Sequence, residues 1–218
     1  MPSIAAIVPA YNEEATIGEV VRVLKTSPFL SEVIVVSDGS TDETVSRARQ
    51  AGATVYELTQ NQGKGEAMRY GVSKTQADTV AFFDADLLGL TAEHVEQLAR
   101  PVLEGKLAMC VGLRDRGSIS RLLGPHLPLI SGERVLQKKI IEAIPARFLH
   151  GFMVEVSINY FCLIRKLAYG AVVLPSLAIR RKCQKVGFWR GLWGYAHMTW
   201  QVAHAMCAVR IARIFHHF

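Results

Sequence analysis

The chain has 218 residues, 50% of them hydrophobic and 20% charged, which suits one α/β domain with a tail and excludes a disordered or fibrous polypeptide. The net charge of +6 hides an asymmetry: all 19 acidic residues lie at or before Glu155 beside 16 Lys and Arg, while the stretch from Ser157 onward holds nine Lys and Arg and no acid. Such a basic stretch points to an anionic surface, nucleic acid or phospholipid, or to a basic face that contacts the acidic half.

The four cysteines, Cys110, Cys162, Cys183 and Cys207, lack the spacing of a zinc site and are expected as buried thiols in a reducing compartment. The start of the chain has no charged and apolar leader pattern, and no uninterrupted apolar run reaches about 18 residues. The expectation is a cytoplasmic protein, either free or peripheral at the inner face of the membrane.

In chain order, Ile4 to Val8 is predicted as a strand and Glu14 to Lys25 as a helix. The β-branched run Glu32 to Ser37 is a second strand, after which Ser40 and Glu43 fit a capping box that opens a helix through Gln50. Ala53 to Leu58 is a third strand, Gly65 to Lys74 a helix, and Thr79 to Phe83 a fourth strand. Thr91 caps a helix to about Glu104, and Leu107 to Gly112 is a fifth strand. Beyond Arg114 the pattern predicts a loop over Gly117 to Gly124, helices over Gly132 to Ala143 and Val154 to Lys166, and a short strand from Ala171 to Leu174. Phe188 to Phe218 reads as amphipathic helix: Trp189, Leu192, Trp193, Ala196 and Trp200 share one helical face, with Lys182, Lys185, Arg190, Arg210 and Arg213 around it.

Strands alternating with helices specify a mostly parallel sheet flanked by helices, and ligands bind such sheets outside the carboxyl ends of the strands. The polar clusters fall there: Tyr11-Asn12-Glu13-Glu14, Asp38-Gly39-Ser40 and Asp84-Ala85-Asp86. Two carboxylates one residue apart after a buried strand can share a hard divalent cation, Mg²⁺ or Mn²⁺, which would neutralise a departing diphosphate. Asp38 offers a carboxylate to a base or ribose. Gly63-Lys64-Gly65 offers backbone freedom and a cation before a helix. The spacings of a P-loop and of a dinucleotide-binding G-x-G-x-x-G are both missing.

Taken in order, Pro9-Ala10-Tyr11-Asn12-Glu13-Glu14, Val36-Ser37-Asp38-Gly39-Ser40-Thr41-Asp42, Asn61-Gln62-Gly63-Lys64-Gly65 and Asp84-Ala85-Asp86-Leu87 resemble the family 2 glycosyltransferases with the GT-A fold. The likeness spans roughly residues 3 to 160 and is greatest to dolichyl-phosphate sugar synthases and glucosyl-3-phosphoglycerate synthase-like enzymes. It implies a nucleotide-binding and catalytic domain over 1–180, with a basic amphipathic helical tail over 181–218. It implies transfer of a sugar from a UDP- or GDP-linked donor to a polyprenyl phosphate or a small phosphorylated or hydroxylated acceptor, with Mg²⁺ or Mn²⁺ as cofactor.

By the same resemblance, Pro9, Ala10, Tyr11 and Glu13 surround the nucleoside, Asp38 binds the base and Lys64 serves the donor. Asp84, Ala85 and Asp86 carry the metal and donor, with Asp84 and Asp86 as ligands and Asp84 also catalytic. Arg114, in Gly112-Leu113-Arg114, approaches phosphate. Ser131-Gly132-Glu133-Arg134 and Phe152-Met153-Val154-Glu155 line sugar and acceptor, with Arg134 and Glu155 on the acceptor and Glu155 as sugar grip or general base.

The sequence departs from the pattern twice. Leu88 stands where a Gln often follows the D-x-D, and Ile179-Arg180-Arg181-Lys182 stands where relatives often carry a His-Arg pair, so no histidine ligand is expected there. His94, His126 and His150 are given no assigned role. Two other classes compete with this reading: a sugar-1-phosphate nucleotidylyltransferase, whose Gly-rich first loop is missing here, and a non-catalytic membrane-surface adaptor using the basic tail. Expected partners are the donor, the acceptor, and an anionic membrane or a second copy through the C-terminal helices, with no nucleic acid.

Overall fold

The computed structural model describes residues 3–114, 131–149 and 153–180. Seven strands form one sheet in the order β3-β2-β1-β4-β7-β6-β8. Inside it lies β1 (Ile4–Ala10), an apolar run buried on both faces, paired in parallel with β2 (Leu30–Asp38) and with the central strand β4 (Thr79–Phe82). Burial on both faces is what a continuous apolar strand is suited to. β3 (Thr54–Leu58) extends the sheet in parallel beyond β2, and β6 (Met109–Arg114) pairs in parallel with β8 (Tyr169–Leu174).

Helices cover both faces. α1 (Ile17–Thr26) buries Ile17, Val20, Val21 and Leu24, the stripe of a helix resting on a sheet. With α2 (Thr44–Gln50) and α4 (Ala92–Leu103) it closes one core, which takes Ile4, Ala6 and Val8 from β1. Ile7 points to the opposite core. There it meets α3 (Lys64–Val72), α5 (Lys138–Glu142) and α6 (Met153–Ile164). Thr91 caps α4 as expected: its side chain accepts from the His94 amide while His94 Nδ1 accepts from the Thr91 amide, which gives His94 a structural task.

The sequence pattern misplaces one element. The helix expected over Gly132 to Ala143 begins as a strand, β7 (Arg134–Gln137), and only Lys138–Glu142 is helical. β7 lies between β4 and β6 and is antiparallel to both. Val135 and Leu136 are buried on opposite faces, so no alternation remains to mark the strand. A second small sheet joins β5 (Leu87–Leu88) to β9 (Ala178–Ile179). The free thiols of Cys110 and Cys162 are buried, and burial pushes both up to about 11. Cys183, Cys207, the Gly117 to Gly124 loop and the helices expected in 181–218 lie outside the described residues. Among the described residues no helix is long and apolar enough to cross a membrane.

Candidate active site

On one side of the carboxyl edge, the loops after β1 and β2 are laced together. Asn12 takes a left-handed conformation, φ 54°, and its Oδ1 accepts from the Thr41 amide at 2.9 Å. The Asn12 amide donates to Ser40 Oγ at 3.1 Å, and the Glu13 amide to Thr44 Oγ1 at 2.8 Å. Asp42 accepts from the Glu14 amide at 3.2 Å and from the Thr44 amide at 3.0 Å, turning the chain into α2. The capping box expected from Ser40 and Glu43 therefore does not form. Ser40 faces the first loop, and α2 starts at Thr44.

Asp38 ends β2 at 3% exposure, with Oδ1 accepting from the Gln62 amide at 2.7 Å and Oδ2 from the Gly63 amide at 2.8 Å. The carboxylate thus holds the turn that leads into α3. Gly39, φ 72°, permits the closeness, since a Cβ there would sit 2.8 Å from the Asn61 amide nitrogen. Pro9 and Ala10 lie inside β1, and Tyr11 is 48% exposed just beyond it.

The turn delivers Lys64 to the centre of the edge. Its Nζ lies 2.7 Å from Asp84 Oδ1 and 2.9 Å from Glu155 Oε1, so one ammonium joins the loop after β4 to the first turn of α6. Two glycines allow this approach. A Cβ on Gly65 would fall 1.7 Å from the Leu149 carbonyl oxygen, and one on Gly132 would fall 2.4 Å from both carboxylate oxygens of Asp84. Burial alone would depress the Lys64 ammonium, but Asp84 and Glu155 raise it above the ordinary lysine range. For Asp84, burial opposes ionisation, yet Lys64, with Arg114 and Arg134, holds the carboxyl below the usual range.

Among the described residues Asp86 has no such counter-ion in contact, and Arg114 is the least of the influences on it. Burial first, then the charges of Asp84 and Glu13, push its carboxyl up to about 6. Its loop is clamped from both sides: Thr16 Oγ1 donates to the Ala85 carbonyl at 2.8 Å, and the Arg180 amide to the Asp86 carbonyl at 3.0 Å.

Arg134 opens β7 with 0% exposure, its guanidinium donating to the Ser131 carbonyl and to Asn159 Oδ1. Burial lowers its pKa, against the opposing pull of Glu155, Glu133 and Asp84. The sequence assigned it to the acceptor. Here it lies beneath the carboxylates, as their counter-charge. Glu155 is 4% exposed, so it is no surface carboxylate. Glu133, which the sequence reading named only as part of a segment, is also wholly buried, with Oε2 accepting from Ser131 Oγ. Burial and Asp84 raise its pKa, and Arg114 works the other way. A carboxylate next to an arginine at the head of an apolar strand was the available signal. Among the described residues, the buried side-chain polar atoms without a hydrogen-bond partner are Arg114 Nη1, Glu133 Oε1, Arg134 Nε and Glu155 Oε2. All four belong to this cluster. Buried polar atoms are nearly always paired, so their concentration at one place marks a ligand site.

Known proteins resemble this chain. A glucosyl-3-phosphoglycerate synthase of Mycobacterium tuberculosis is 28% identical over 216 residues, covering 82% of this chain and 66% of the relative. A 4,4'-diaponeurosporenoate glycosyltransferase of Staphylococcus aureus is 39% identical over 101 residues, covering 44% of this chain and 27% of the relative. The chain thus spans less than two thirds of the length of either. A crystal structure of the M. tuberculosis synthase with Mn²⁺, UDP-glucose and phosphoglyceric acid superposes with a TM-score of 0.78 at 28% identity, over 95% of this chain and 79% of that one. The sequence profile described as glycosyl transferase family 2 matches residues 5–161, which hold every carboxylate of the cluster. With that match over most of its length, and with the sheet and the Asp84–Asp86 pair in place, the chain belongs to glycosyl transferase family 2.

Proposed function

We propose that the chain moves a hexosyl group from a nucleotide sugar, UDP-glucose in the first instance, to a small hydroxyl-bearing phosphorylated acceptor. The observation that carries this reading is the Lys64 ammonium bridging Asp84 and Glu155 beside Asp86, at the edge where an α/β sheet binds its ligand. The contents of the M. tuberculosis synthase crystals, UDP-glucose with phosphoglyceric acid, support the choice of donor and acceptor class.

The donor set fits a hard divalent cation. Asp84 and Asp86 offer carboxylate oxygens, and burial with the nearby charges of Asp84 and Glu13 makes an added positive charge favourable beside Asp86. Crystals of the same synthase contain Mn²⁺ or Mg²⁺ together with UDP, in keeping with either metal here. Asp84 and Asp86 would hold the cation, which would supply Lewis-acid neutralisation of the leaving diphosphate. The chain's own residues do the rest. Pro9, Ala10, Tyr11 and Glu13 flank the nucleoside. Asp38 acts through the Gln62–Gly63 turn and, at its edge, on the base. Lys64 holds Asp84 and Glu155 in register, and Arg114 faces the donor. Glu155 Oε2 is the atom available to accept from a sugar or acceptor hydroxyl. Arg134 keeps these carboxylates charged from below.

In this proposal residues 1–180 are the catalytic unit of a cytoplasmic enzyme, and 181–218 form a basic amphipathic tail that meets an anionic membrane or a second copy. Sedimentation with anionic and neutral vesicles separates the last two. The main test is direct: the purified chain with UDP-glucose, 3-phosphoglycerate and Mn²⁺ should release UDP and form a glucosylated product by mass spectrometry, with both lost in EDTA. UDP-glucose left intact with either metal, across phosphorylated acceptors and polyprenyl phosphate, overturns the reading.

A further inference from the structure

The orphaned atoms fall into two pairs on opposite faces of the sheet. Arg134 and Glu155 share the side of α3 and α6. Arg114 and Glu133 belong to the other side, where Gly112, next to Cys110 of that core along β6, brings the strands together. The Gly112 amide donates to the Glu133 carbonyl at 2.8 Å, and a Cβ on Gly112 would lie 3.3 Å from Glu133 Cβ. Adjacent strands therefore carry Arg114 and Glu133 into one neighbourhood beside Asp84, where the two charges act on each other. Opposite charges so placed usually pair directly. Here they do not: Arg114 Nη1 and Glu133 Oε1 are buried and neither has a partner, while Ser131 Oγ fixes the other Glu133 oxygen.

A buried donor and a buried acceptor, held near each other but unbonded, are both answered by one group that can accept and donate at once. A hydroxyl does this; a phosphate or a carboxylate, having only acceptors, would be repelled by Glu133. We infer that Glu133 and Arg114 together read a hydroxyl of the transferred sugar, with Glu133 accepting its proton in a hydrogen bond and Arg114 donating to its oxygen. The inference rests on the proposed use of a nucleotide sugar and adds to it a specificity-determining residue, Glu133, on the far side of Asp84 from Glu155. It gives the site two carboxylates for hydroxyls, one on each face of the sheet. A direct sugar reader also explains why an unpaired carboxylate is kept in a position where it burdens the fold.

The test compares UDP with UDP-glucose on the full chain by titration calorimetry with Mn²⁺. Glu133→Gln, and the near-isosteric apolar Glu133→Met, should weaken UDP-glucose about tenfold or more while leaving UDP within about twofold, as expected for loss of a hydrogen bond to a charged group. Melting temperatures of both variants should equal or exceed that of the unaltered chain, because an unanswered buried charge is removed. Of the deoxyglucose donors, one should bind the unaltered chain and the variants alike, which identifies the hydroxyl. Equal weakening of UDP and UDP-glucose, no weakening of either, or failure of both variants to fold assigns Glu133 to structure and overturns the inference. If the unaltered chain binds neither ligand, the proposed function falls and this inference with it. If UDP-glucose binds normally and the variants match the unaltered chain, only this inference falls.

Discussion

The two sides of the ligand edge are built on opposite rules. Around β1 and β2 the side-chain hydrogen bonds cross between loops: Asn12 to Thr41, Ser40 to Asn12, Thr44 to Glu13, Asp38 to Gln62 and Gly63. Around β4, β7 and β6 the charges crowd together, and four buried polar atoms go unanswered. The first side is finished by the fold itself. The second bears a cost that a ligand would relieve, which is the signature of a surface shaped for something other than stability. Substitutions should therefore behave differently on the two sides: loss of stability where the loops are laced, and loss of chemistry where the charges crowd.

The largest effect is expected on the crowded side. Asp86→Ala should lower turnover by about a thousandfold or more, since a metal's charge stabilisation is worth several kcal/mol. Its circular dichroism and melting temperature should remain those of the unaltered chain. Activity surviving in Asp86→Ala breaks the comparison at its strongest point. Next comes Glu155→Gln, expected to slow turnover about a hundredfold or more. UDP affinity should change much less, as single-turnover and binding measurements will show.

Lys64 belongs to both sides and sharpens the contrast. Lys64→Met strands the carboxylates of Asp84 and Glu155 without their shared partner, and should cost about 3 kcal/mol of stability by urea unfolding. Asp38→Asn on the laced side should cost about 1.5–3 kcal/mol by loosening the Gln62–Gly63 turn, with donor affinity falling in step. If Asp38→Asn were as stable as the unaltered chain yet bound UDP poorly, its carboxylate would serve the base alone. The smallest effect is that of Ser40→Ala, about 1 kcal/mol from the stranded Asn12 amide, with the helical content of α2 intact. A loss of α2 helicity would restore Ser40 as a cap.

Much of this was legible in the sequence because strand ends are local features. Apolar runs followed by Tyr11-Asn12-Glu13, Asp38-Gly39-Ser40 and Asp84-Ala85-Asp86 mark strand ends without knowledge of the sheet order, and the strands of β1 to β4 lie where the apolar runs lie. What escaped was non-local. β7 looks helical because Arg134–Gln137 continues into helix-favouring residues and both of its faces are covered, by β4 and β6 as neighbours and by helices above and below. Ser40 reads as a cap because Glu43 follows at the spacing of a capping box, whereas its partner Asn12 lies far back in sequence. Glu133 passed without a role of its own for the same reason: its surroundings are set by strands that the chain reaches at other times.

That timing has a consequence for how the molecule comes to be active. The pairing of Ile4 with Leu30 and of Ile34 with Thr54 closes short loops, so β1, β2 and β3 can associate early and cheaply. β7 must instead find its slot against Thr79–Phe82 of β4 and Met109–Val111 of β6, and run against both. Its pairing with β4, like that of β4 with β1, joins residues far apart in the chain, and such pairings form slowly. Until it is seated, Gly132 does not lie against Asp84 and Arg134 does not lie beneath the carboxylates. The nucleotide side can thus exist before the chemical side, and competence for transfer awaits the seating of β7 between β4 and β6.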